Sequence, residues 1–185
     1  MKYFKSKKNT GFTLLFSSLV VSILMSIGFT ISNITLSQLL LSSSGRESQF
    51  AFYNADTGVE CAMYYEYRVS HSTGGSFFPP NSGTPPNTVD SFTCNGVTAS
   101  VISIIMSPDL SSATTTFSIN HADPADPTIC DKTKPSFKVL VSKTPASAPA
   151  PVGATSVYVQ SRGYNTCDAS NPKRVERGLY AKFTD

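Results

Sequence analysis

No Asp, Glu, Lys or Arg occurs between Lys8 and Arg46, a gap of 37 residues. Within it, the stretch from Phe12 to Phe29 is dense in Leu, Val, Ile, Phe and Met. About 20 apolar residues span a bilayer, and Leu, Ile, Val and Phe each favour insertion by roughly 0.3–0.6 kcal/mol, so Ser17, Ser18, Ser22 and Ser26 are tolerable on such a helix. A chain that opens this way has a membrane anchor, a secretory signal or the assembly segment of a filament subunit at its N-terminus. Lys2, Lys5, Lys7 and Lys8 precede the apolar run and stay inside by the positive-inside rule, which puts everything after about residue 35 outside. A signal-peptidase substrate fits poorly, because the apolar region is too long and no A-x-A site ends it.

Composition narrows the exported part. The chain has 185 residues, enough for one modest domain beyond the apolar segment. The formal charge of +3 comes from the leader: a cut after Gly11 leaves 11 basic against 12 acidic residues, about −1, with no electrostatic reason to seek nucleic acid. Cys61, Cys94, Cys130 and Cys167 all lie in the exported part, where an even count favours two disulfides with three possible pairings. Cys61–Cys94 with Cys130–Cys167 is preferred, since each closes a neighbouring segment. Zinc is disfavoured, because no CxxC element is present and His71 and His121 sit in loop-like sequence.

The segment "SQLLLSSSGRESQFAFYNADTGVECAMYYEYR" places Ala51, Ala55, Gly58, Val59, Ala62 and Met63 at three-and-four spacing, one face of a helix. The spacing predicts one helix from about residue 12 to about 68, roughly 80 Å long, with Gly28, Gly45 and Gly58 as weak points open to bending or local melting. Residues 70–90 carry too many Pro, Gly, Ser and Asn for regular structure. Five β-type runs follow, at 91–106, 114–120, 136–143, 156–162 and 174–183, and predict an antiparallel sheet. Val101 to Met106, apolar on both faces, is expected as a buried central strand. Val175, Leu179, Ala181 and Phe183 alternate with Glu176, Tyr180 and Lys182, as a half-exposed strand should.

The N-terminal residues carry a further pattern. "KKNTG" followed by "FTLL" resembles the class III leader of type IV prepilins and type II secretion pseudopilins. The resemblance implies cleavage by a prepilin peptidase between Gly11 and Phe12, with N-methylation of Phe12, and a filament-core role for Leu14, Leu15 and Phe16. Ordinary pilins have glutamate at the fifth mature position, where this chain has Phe16. In the family that carboxylate is held to pair with a neighbouring subunit's amine inside the membrane, where an unpaired charge costs several kcal/mol. A subunit with nothing above it has no amine to neutralise, which fits a filament tip and the PilX-type minor pilins and K-type pseudopilins. "SQFAFYNADTGVECAMYY" is similar to the alanine-rich N-terminal region of PilX-type proteins, with Asp56 in place of the usual Glu and Glu60 retained, and "RVERGLY" resembles their last strands. The resemblance covers about residues 5–66.

It implies an α+β, pilin-like ladle: a class III leader at 1–11, the membrane-spanning half of the helix at 12–33, its amphipathic half at 34–68 and an exported β-rich domain at 69–185. The implied partners are other minor and major pilins, the prepilin peptidase, the pilus assembly platform and the lipid bilayer, with a surface or DNA ligand at the tip. The alternative is a signal-anchored extracellular adhesin or binding domain that is never processed. No enzyme, cofactor or metal site is expected. Ser161 and His121 lack a GxSxG context, and no Gly-rich phosphate loop follows a strand. Asp56 and Glu60 read as a packing-helix edge rather than an acid–base pair. Asp123, Asp126 and Asp131 match no EF-hand and read as a turn-rich loop rather than a calcium site. Tyr64, Tyr65, Tyr67, Phe77 and Phe78 read as helix-to-sheet packing in preference to an adhesive patch.

Overall fold

The structure, a computed structural model, describes residues 10–72, 74–80, 88–147, 149 and 154–184. Residues 1–9 of the expected leader lie outside them. One helix, α1 (Thr10–Arg68), precedes seven strands: β1 (Thr93–Cys94), β2 (Val97–Thr98), β3 (Ser100–Met106), β4 (Ala113–Asn120), β5 (Ser136–Pro145), β6 (Thr155–Tyr164) and β7 (Glu176–Thr184). The fold is α+β, a long apolar N-terminal helix and an antiparallel sheet. The chain divides into two compact units, Met1–Gly45 and Arg46–Asp185.

In the second unit, β3 to β7 form a five-stranded antiparallel meander in chain order. Strands β5 and β6 alternate inward Phe137, Val139, Val141 and Val157, Val159 with outward Lys138, Leu140 and Tyr158, Gln160. Period-two alternation puts the first set on the face that the Arg46–Arg68 part of α1 covers. That part presents small residues: Ala51, Ala55 and Ala62 are fully buried. A Cβ on Gly58 would collide with Ser161 and crowd Phe137 and Val139, and one on Gly163 would collide with the backbone of Ala51 and Ala55. Small residues on both partners thus allow close approach of helix and sheet. Gly58 serves packing, and the helical span of α1 includes Gly28, Gly45 and Gly58.

Two strand expectations need correction. The run 91–106 is not one strand: Asn95 and Gly96 both have positive φ, at 52° and 76°, and close the β1–β2 hairpin in the conformation that Asn-Gly favours. The run's apolar end, β3, is an edge strand rather than a central one, with Val101, Ile102 and Ile105 exposed by 41, 54 and 65%. A meander that follows chain order must leave its first strand at the edge, whatever its hydrophobicity. The other edge, β7, alternates as expected, with Leu179, Ala181 and Phe183 half-buried.

The segment 70–90 is irregular where described, yet it supplies core. Phe77 and Phe78 are buried and both meet Phe92, at ring separations of 5.3 and 5.9 Å, while Phe78 also stacks on Phe117 at 5.7 Å. Tyr65 joins them, 4.8 Å from both Phe77 and Phe92. Disulfides join Cys61 on α1 to Cys94 on β1, and Cys130 to Cys167, the preferred pairing.

Candidate functional site

The first unit places Phe12, Leu14, Leu15 and Phe16 in the opening turns of α1, exposed by 76, 71, 66 and 60%. Gly11 is already helical, because α1 begins one residue before it. Every described side chain from 12 to 45 is exposed. Several of its hydroxyls are satisfied locally: Ser17, Ser18 and Ser22 donate to the carbonyls of Leu14, Leu15 and Leu19 at 2.8–3.0 Å. Thr30 and Thr35 donate to those of Ser26 and Ile31 at 2.9 Å. A hydroxyl that returns its proton to its own helix needs no water, which is what an apolar phase demands. α1 is therefore long and apolar enough to cross a membrane.

The second unit holds a polar site inside its core that the sequence reading missed. Lys143, at an inward position of β5, donates to Glu66 Oε1 at 2.5 Å, Ser76 Oγ at 2.6 Å and the Phe78 carbonyl at 3.1 Å. Glu66 Oε2 accepts the Phe78 N–H at 3.2 Å. Both side chains are buried, at 4 and 3% exposure. A buried ammonium survives only when its three donors are matched, and here they are. The site ties α1, the 70–80 segment and β5 together. The signal was present in the alternation, which carries Phe137, Val139 and Val141 inward and then delivers Lys143 to the same face.

Other candidates do not assemble. Asp123, Asp126 and Asp131 each accept the N–H two residues onward, from Ala125, Thr128 and Thr133, so they close separate turns. Hydrogen bonds from the Thr128 and Thr133 hydroxyls and N–H groups hold Asp126 and Asp131 below the usual carboxylate range. Among the described residues no three His, Cys, Asp or Glu could hold a metal. Asp56 and Glu60 are exposed on α1. Ser161 is buried with its hydroxyl unpartnered, against Gly58. His71 is buried, within 3.4 Å of Asp90 and 3.1 Å of the Thr88 hydroxyl. Of the aromatic residues, Tyr65, Phe77 and Phe78 pack inward, while Tyr64 and Tyr67 are exposed by 57 and 41%.

No protein-family model, curated protein or solved structure matches the chain.

Proposed function

We propose that this protein is a minor pilin or pseudopilin that is cut after Gly11 and primes or caps a type IV pilus-like filament, at its tip. The observation that carries this reading is the division of α1. Its charge-free part exposes Phe12, Leu14, Leu15 and Phe16 and returns several hydroxyls to its own carbonyls, and the same helix continues into a small-residue stripe that docks on a sheet. A simple anchor needs the first part only. A subunit that leaves the bilayer for a filament needs an apolar segment that can exchange lipid for neighbouring helices, joined in sequence to its folded head.

In this reading Lys2 to Lys8 hold the N-terminus inside, the platform extracts the processed subunit, and the domain from residue 69 faces outward. The partners are other minor and major pilins, and the role is assembly rather than catalysis. Phe16 leaves no buried carboxylate in need of a neighbour's amine, which suits a subunit with none above it. Incorporation of Phe16→Glu tests the tip position: it should not exceed that of the wild type, and a large gain would move the subunit into the shaft. The mass of the mature N-terminus tests the whole reading. N-methylated Phe12 is expected, whereas a membrane form that keeps Met1 belongs to an unprocessed anchored adhesin.

A further inference from the structure

The near-neutral charge beyond the leader conceals a segregation. Residues 46–131 hold nine acidic and two basic side chains, and residues 132–185 hold nine basic and three acidic ones. The structure puts part of the second set on the open face of the sheet, opposite α1. Lys138 of β5 and Arg162 of β6 stand directly across from each other. Like charges in opposed positions repel, so the pair is stabilised by an anion between them. Arg162 has a partial answer in Glu176 at 3.4 Å, with both side chains about half exposed, while Lys138 has no ion-pair partner among the described residues. Lys138 and Arg162 flank a groove of about 290 Å³ that Gln160 and Tyr164 help to line. The Arg174 guanidinium stacks on Tyr164, 3.9 Å from its ring centre.

Next to this groove lies an aromatic platform. Tyr158 and Tyr180 are exposed by 39 and 74%, with ring centres 6.0 Å apart and planes 23° from parallel. Lys182 faces Tyr158 across the β6–β7 pair. Along β6 the open face thus reads Arg162, Gln160, Tyr158, with cations at its two ends about 13 Å apart and tyrosine faces between.

We propose that this face binds single-stranded nucleic acid, with backbone phosphates at Lys138, Arg162 and Lys182 and bases stacked on Tyr158 and Tyr180. Cations that track a backbone beside exposed aromatic rings on an open sheet are the chemistry that holds single strands. A duplex buries the base faces that the tyrosines would engage, and an acidic protein surface would use the cations but not the ring faces. The proposal rests on the Arg46–Asp185 unit alone, since an unprocessed anchored protein would carry the same face.

The test uses the full-length protein in detergent, with fluorescent oligodeoxythymidine of about 20 nucleotides and fluorescent polyglutamate as probes, at several salt concentrations. Oligodeoxythymidine should bind at low salt and more tightly than polyglutamate or a duplex of equal length. Joint Tyr158→Ala and Tyr180→Ala substitution should weaken binding about ten-fold with the salt slope unchanged, while Tyr158→Phe retains it. Lys138→Ala should lower the salt slope by about one. All three positions are exposed, and retention of both disulfides by mass mapping verifies the fold. Absent binding at low salt overturns the proposal. So does equal affinity for polyglutamate with no response to the tyrosine changes, which would make the face a dock for an acidic protein.

Discussion

From Phe12 to Gly45 every described side chain of α1 is exposed, although the segment is apolar and uncharged. From Arg46 to Arg68 the same helix carries charges and still buries Ala51, Ala55, Gly58 and Ala62 completely or nearly so. Hydrophobicity and burial therefore run in opposite senses along one element. A water-soluble domain could not sustain the first part, because apolar side chains lose roughly 25 cal/mol for each Å² of surface left in water. The first part is long and apolar enough to cross a membrane. The second is built for one particular sheet, and its small residues matter for what they let approach rather than for their own apolar area.

Substitutions can separate the two halves. The largest effect is expected at the buried ion pair of the second unit: Lys143→Met strands Glu66 in the core and should cost about 3–5 kcal/mol in denaturant unfolding. The double change with Glu66→Met should recover much of that loss, and no recovery would mean that the pair is not a coupled unit. Next comes the helix–sheet contact. Ala55→Leu forces the helix off Gly163 and should cost about 1–3 kcal/mol. Leu24→Ala, in the exposed half, should leave the unfolding of the Arg46–Asp185 unit unchanged within about 0.5 kcal/mol, and a larger loss would erase the distinction between the halves.

The smallest effect concerns the β3–β4 turn. Hydrogen bonds from Ser107 and Ser111 lower the Asp109 carboxyl to about 2. A depressed carboxyl contributes stability that is present above its ordinary range and is lost as pH falls through the folded value. The turn should therefore hold at neutral pH and loosen between about pH 4 and pH 2, seen as faster amide exchange at Ser111 and Ser112. Asp109→Asn should flatten that dependence.

Much of this was legible in sequence where one physical rule dominated. The charge gap and the spacing of Ala51, Ala55, Gly58 and Ala62 predict α1 to within two residues at its start, and the alternation through Leu179, Ala181 and Phe183 predicts a half-exposed strand. Where two rules compete, the residue pattern alone does not decide. The apolar run Val101–Met106 suggests burial, but topology assigns strands to edges by order, so Ile102 and Ile105 face outward. In the run 91–106 strand propensity masked Asn95-Gly96, a stronger local signal for a turn. The Lys143–Glu66 pair escaped because its partners lie 77 residues apart and only the assembled core brings them together. Net charge averages over a segregation visible in the sequence, since residues 46–131 are mostly acidic and residues 132–185 mostly basic.

The proposed filament role turns on what happens between Gly11 and Phe12. Intact mass and N-terminal peptide analysis of the protein recovered from its native membrane should find a chain that begins with N-methylated Phe12 and keeps both disulfides. A native chain that still carries Met1 or Lys2 would contradict the filament account and leave α1 as a plain anchor.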